Sequence, residues 1–357
     1  MFGDRNRRWS PLGLLLLSAG FGCSIGGPDD IVVYTALDRP FSEPVFDTFT
    51  ERTQIGVRVK YDTEANKTVG LTNLILHEAA RPRCDLFWNN EILNTLRLEQ
   101  HGLLAAYQSP EADHFPAQYR SPTGHWYGFA ARARVLLVNH DRVPSDRYPR
   151  SIEDLVSPEW NGSAGFAKPL FGTTATHFAC LYAKWGAAKT RRFAEQLHRQ
   201  AKLFPGNRQV AHAVGTGQLA FGLTDTDDAV IERKHGSPVS IIYPDQEVGA
   251  LGTLLVPNTV ALIQNSRHPE AARQLLDFLL SSNVERQLAA GKSSQIPLNT
   301  QIKPAKELQL PADLRLMQVD FQFAARQWEP CARMLREVFL NTLDESTSNA
   351  LISDTRR

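Results

Sequence analysis

The sequence predicts an α/β protein with parallel strands, divided into two domains. Three observations lead there: the chain has 357 residues, apolar runs alternate with segments of helical period, and polar clusters follow the runs. A single hydrophobic core stops growing at roughly 250–300 residues, so a chain of this length divides. Hydrophobic residues at 42% and charged residues at 22% are ordinary globular values, which exclude a disordered chain and supply apolar material for two cores.

The elements follow in order. Ile31-Val32-Val33-Tyr34 reads as a buried strand. Residues 40–52 place Phe41, Val45, Phe46 and Phe49 at helical spacing, with Pro40 suited to a first turn. Residues 57–61 alternate as a strand, and 68–80 read as a helix. Cys84-Asp85-Leu86-Phe87-Trp88 is a third strand, followed by a helix over 92–101 that Gly102 stops. Such alternation is the mark of a parallel sheet. Val135-Leu136-Leu137-Val138, behind Arg132 and Arg134, reads as a strand passing between domains. A second unit contains strands at 165–167 and 220–224 and helices over 174–185, 189–200 and 210–215. Residues 252–263 form a further strand, and amphipathic helices over 268–280 and 284–290 return to the first domain. One lobe is therefore expected from 31–127 with 249–345, the other from 133–246.

Residues 1–23 read as a signal peptide: Arg5, Arg7 and Arg8, an apolar run at 12–18, then small residues up to Cys23. The run is far shorter than the roughly 20 residues that span a bilayer. Gly20-Phe21-Gly22-Cys23 resembles a lipoprotein signal, which implies export to the periplasm and a lipid anchor on Cys23. Cys84, Cys180 and Cys331 lack C-x-x-C spacing and read as small buried hydrophobes. Lys plus Arg at 39 against Asp plus Glu at 38 leaves no global field for nucleic acid or membrane, so selectivity must be local.

An open α/β sheet binds ligands beyond the carboxyl ends of its strands. Four polar clusters fall there: Thr35 to Asp38, Asn89-Asn90-Glu91, Gly172-Thr173-Thr174 and Asp225-Thr226-Asp227-Asp228. Two belong to each domain, and a cleft would bring them face to face. Asp38, Asp225, Asp227, Thr173 and Thr174 also suit helix N-caps. Arg132 and Arg134 share one strand face and suit either an anionic ligand or a salt bridge. Tyr34, Trp88 and Trp126 offer aromatic faces to an amine. Unpaired carboxylates facing each other would repel, so the sequence predicts a cation among them. No G-x-S-x-G elbow, P-loop, dinucleotide fingerprint or zinc histidine pair occurs, which points to a binding protein with no catalytic residue or cofactor, not an enzyme.

Ile31-Val32-Val33-Tyr34, Cys84-Asp85-Leu86-Phe87-Trp88, Ala131-Arg132-Ala133-Arg134-Val135, Asn207-Arg208-Gln209-Val210 and Gly222 to Asp228 occur in the order known from one family. Over about 31–297 the chain resembles the ferric-iron-type periplasmic binding proteins of ABC importers. The resemblance implies a type II periplasmic-binding fold, with two lobes on a two-crossover hinge that close on a ligand. It implies a synergistic anion, phosphate or carbonate, at Gly172, Thr173, Thr174 and Asn207, where free N–H groups and the helix dipole suit one. It places Fe(3+) at Asp38, Asp227 and Asp228, with Asn90 and Glu91 beside them; Tyr34, Arg132 and Asp225 are further candidate ligand contacts read from the residues. The family's paired tyrosines are replaced by Asp227-Asp228, whose hard oxygens suit ferric ion, Ca²⁺ or an organic cation such as a polyamine. A phosphorylated or phosphonate small molecule is a further alternative, and an extracellular sensor without transport another class. The implied partners of this monomer are an ABC permease and its ATPase.

Overall fold

The computed structural model describes residues 30–62, 68–292 and 294–340. The signal peptide and Cys23 lie outside the described residues, as do 341–345 of the expected first lobe.

The first half of the chain builds β1 (Ile31–Thr35), α1 (Arg39–Thr53), β2 (Val57–Tyr61), α2 (Val69–His77), β3 (Leu86–Asn89), α3 (Leu93–Gln100), the short β4 (Leu104–Ala105) and the long β5 (Tyr127–Asn139). Next come β6 (Ala164–Ala167), α4 (Gly172–Gln200), β7 (Lys202–Phe204), α5 (Asn207–Gly215), β8 (Phe221–Asp225), α6 (Thr226–Lys234) and β9 (Val239–Ile242). The chain closes with β10 (Leu255–Ile263), α7 (Pro269–Leu280), α8 (Ser282–Ala290), α9 (Phe321–Arg326) and α10 (Trp328–Phe339). The two helices expected at 174–185 and 189–200 form the single α4, kinked at Gly186, whose φ of 77° only glycine adopts readily.

Strand order is β2-β1-β3-β10-β5-β8-β6-β7, with β4 on β10 and β9 on β5. β1, β2 and β3 are parallel, as are β6, β7 and β8, while β10 and β5 run against their neighbours. The pairing path is continuous rather than two unconnected sheets. One 13-residue strand causes this, because β5 pairs with β10 along Tyr127 to Ala133 and with β8 along Arg134 to Val138. The turnover from one partner to the other falls between Ala133 and Arg134.

The two apolar cores lie on opposite faces of the sheet, not one in each lobe. Val33, Trp88, Val135 and Leu137 face a cluster with α1, α5, α6, α7 and α8, whereas Tyr34, Phe87, Leu136 and Val138 face one with α2, α3, α4, α9 and α10. Period-two alternation along each strand feeds both faces. The last two helices also depart from the expected lobe boundary. Phe339 of α10 stacks edge-on against Phe166 of β6 at 5.8 Å, and Glu329 pairs with Arg97 of α3 at 2.6 Å, so this end straddles both halves.

Candidate functional site

The carboxyl ends of β1 and β3 face those of β6 and β8 across a cleft lined by Asp38, Asn90, Arg132, Gly172, Thr173, Thr174, Asn207, Asp225, Asp227 and Asp228. Six separate segments of the chain deliver these ten residues; all but Arg132, which stands inside β5, lie at a strand end or helix start, where backbone polar groups are free of the sheet ladder.

The anion side is built on α4. Gly172 has φ 57°, and the capping position before it is Phe171, whose side chain caps nothing. Thr173 and Thr174 therefore do not act as N-caps. Thr173 donates to Asp225 Oδ2 at 2.6 Å and Thr174 to Asn207 Oδ1 at 3.2 Å. Beneath them Arg134, fully buried, donates to Asp225 Oδ1 at 2.6 Å and to Asn207 Oδ1 at 3.0 Å. Arg134 thus stiffens the floor of the cleft and does not line it.

The acidic side holds Asp225, Asp227 and Asp228, with one carboxylate oxygen from each lying within 4.8 Å of the others. Asp225 occupies the N-cap position of α6, and Asp38 that of α1, yet neither side chain makes a capping bond. Both carboxylates instead meet guanidinium groups or the opposite wall. The repulsion from which the sequence predicts a cation is met by the chain's own arginines. Arg132 Nε lies 3.2 Å from Asp227 Oδ2, and Arg208 reaches Asp38 Oδ2 at 2.9 Å and Asp228 Oδ1 at 3.8 Å. Burial works against the charge of Arg132, but Asp227, Asp225, Asp228 and Asp38 outweigh it and raise its pKa. The Arg208–Asp38 bond crosses the cleft from α5 to the loop after β1 and ties its two walls.

Besides Arg134, the sequence candidates Glu91, Tyr34, Trp88 and Trp126 do not line the cleft. Glu91, wholly buried, accepts N–H bonds from Leu93 at 2.7 Å and Asn94 at 3.0 Å, so it caps α3, and Thr176 donates to its other side at 2.8 Å. Tyr34 points to the α2 face of the sheet and donates to Glu78 at 3.0 Å; burial and that bond push its phenol up. Trp88, packed between Phe46 and Phe129, and Trp126, bonded to Glu99, are likewise withdrawn. The aromatic residues that line the cleft are Phe41 and Phe171. Arg208 and Lys168 also line it and were not among the sequence candidates. The signal for Arg208 was its place beside Asn207 at the start of a helix. Glu64, Asn66 and Lys67, whose place before α2 makes them further candidates in the sequence, Lys67 as an anion contact, lie outside the described residues.

Residues 86–327 match the family model described as bacterial extracellular solute-binding protein. The chain belongs to that family. This solute-binding protein is 28% identical over 242 residues to iron uptake protein A2 of Synechocystis, covering 62% of the chain and 67% of that relative. Its fold matches apo ferric ion-binding protein A of Pasteurella haemolytica with a TM-score of 0.77 at 20% identity, over 87% of this chain and 98% of the other. It matches AfuA, a periplasmic binding protein of Actinobacillus pleuropneumoniae with exogenous fructose-6-phosphate bound, with a TM-score of 0.75 at 20% identity, over 88% and 99%. The solute-binding protein therefore has the type II periplasmic-binding fold, two lobes on a two-crossover hinge. β5, which pairs with β10 at one end and β8 at the other, runs through both halves.

Proposed function

We propose that this chain is the solute-binding component of a bacterial ABC importer that captures ferric iron with a synergistic anion between its lobes and delivers it to a permease. One observation carries the reading: three carboxylates within 4.8 Å of one another stand beside the opening turn of α4 in a single cleft. Hard carboxylate oxygens suit ferric ion, and the N–H groups at Gly172 to Thr174 suit phosphate or carbonate. The iron-related names of the relatives support the same cargo. The reading places the protein in the periplasm, held to a membrane by a lipid on Cys23, as a monomer serving a permease and its ATPase. It takes lobe one as 31–127 with 249–345 and lobe two as 133–246, with α9 and α10 bridging them. It is a binding role, with no catalytic step.

A second reading is favoured by a specific observation. The carboxylates are already paired with Arg132, Arg134 and Arg208, and among the described residues no tyrosine lines the cleft, a set that also suits a phosphorylated small molecule with hydroxyls toward the acids. The AfuA structure carries such a ligand. Thermal melts with ferric ion plus phosphate, with fructose-6-phosphate, and with a polyamine separate the readings. A ligand present at a hundredfold its Kd stabilises the native state by about 2.7 kcal/mol. Ferric ion with phosphate is expected to give that shift; a shift from fructose-6-phosphate alone would replace the first reading by the second.

A further inference from the structure

One buried acid of the hinge takes no part in the cleft. Glu285 of α8 is wholly buried, and its carboxylate accepts the Ala130 N–H of β5 at 2.7 Å and the Leu298 N–H at 3.1 Å. The segment carrying Leu298 pairs with β5 next door, through Ile296 and Ala131. Ala130 has φ 42°, a left-handed conformation that a residue with a Cβ holds only when its surroundings force it. Opposite this point the β10 register slips between Val256 and Asn258. Asn258 donates to the Ala130 carbonyl and to Gln295 Oε1, and its own oxygen accepts from Arg132 at 3.2 Å. Arg132 in turn donates to the Asn90 carbonyl at 3.1 Å and faces Asp227. An unbroken series of bonds thus runs from Glu285 through β5 and β10 into the cleft.

We infer that Glu285 is a positioning residue for the cleft: its carboxylate holds the strained turn at Ala130, and through Asn258 fixes Arg132, so that protonating it loosens the hinge and weakens ligand binding. This rests on the cleft being the ligand site. A carboxylate accepts from several N–H groups at once, whereas the neutral acid carries a hydroxyl that is itself a donor and gives up one acceptor direction. Burial pushes the Glu285 carboxyl up to about 7, against the backbone N–H groups of Ala130, Leu298 and Asn299, which favour the anion. β5 and α7 pack against its helix. They carry Tyr127, Arg132 and Arg134, and Glu270, Arg273 and Asp277; Arg286 shares its own helix. None of these is among the causes of the shift.

The test compares wild type with Glu285→Gln, which keeps the shape but places an N–H₂ group among N–H donors. Ferric ion supplied as its nitrilotriacetate complex with inorganic phosphate is titrated at about pH 8 and about pH 6. Medium effects on ion and phosphate are common to both proteins. A single group titrating near 7 that must be ionised gives about a tenfold additional loss in wild type at pH 6, and none in the variant. The variant should already show the weakened affinity at pH 8. Amide exchange at 130–132 of the unliganded chain, corrected for its intrinsic pH dependence, supplies a readout free of cargo: faster at pH 6 than at pH 8 in wild type, and fast at both in the variant. Absence of ferric binding in either protein refutes the cargo and leaves the exchange step to decide the inference. An unchanged pH step in Glu285→Gln, or exchange at 130–132 that ignores pH in wild type, overturns it.

Discussion

Arg132 Nε lies 3.2 Å from Asp227 Oδ2, joining the strand that links the lobes to the acidic wall of the cleft. Breaking a buried pair on one side costs about 3–5 kcal/mol, because the other charge stays behind. Asp227 retains 15% side-chain exposure, so Arg132→Met is expected to cost less, about 2–3 kcal/mol, in urea unfolding. The same variant should lose ligand-induced stabilisation. A neutral effect on both would show that the pair does not organise the cleft.

Asp227→Asn with Asp228→Asn keeps volume and removes two charges from the cluster around Asp225. The double variant should remain folded by circular dichroism and lose the thermal shift given by ferric ion with phosphate. Retention of the full shift would place the metal elsewhere.

Gly172 tests the anion side. A Cβ there would meet nothing within 4 Å, so Gly172→Ala acts through the backbone alone, at φ 57°. The left-handed conformation costs an alanine about 1–2 kcal/mol. The turn is expected to relax, lowering stability by about that amount in denaturant melts and weakening phosphate-dependent binding. An unchanged binding isotherm would remove this turn from the site.

Much of this organisation was legible in the sequence. Ile31 to Tyr34 and Cys84 to Trp88 announced their strands by β-branched and aromatic content, and the polar residues after them announced the cleft. Glu91 was misread because its carboxylate reaches forward to the N–H groups of Leu93 and Asn94 at the start of α3, which spacing alone does not distinguish from a ligand. Tyr34 was misread because period two sends it to the face opposite the cleft wall. The pairing of Asp227 with Arg132, and of Asp225 with Arg134, joins residues more than ninety positions apart and had no local signal. The α10 helix did carry one: Trp328, Cys331, Leu335 and Val338 recur at helical spacing on its buried side.

Asp85 should contribute a loss of stability at strongly acid pH. Burial raises its pKa, but the N–H of Val32 at 2.8 Å and the ring and backbone of His268 outweigh burial and hold it below 3.8. Its contribution to stability is therefore present above pH 3.8 and lost as pH falls through its folded value. Wild type should exceed Asp85→Asn in stability at about pH 6, with the gap closing toward about pH 2. A gap independent of pH would show that ionised Asp85 does not tie β1 to the start of α7.

The proposed binding role requires the acidic wall and the opening turn of α4 to hold one cargo together. Diffraction from crystals grown with ferric ion and phosphate, recorded on both sides of the iron absorption edge, tests it most directly. The account requires an anomalous peak in contact with Asp225, Asp227 or Asp228, with phosphate density against the N–H groups at Gly172 to Thr174. An iron peak outside the cleft, or a phosphorylated organic molecule in the cleft with no iron beside it, would contradict it.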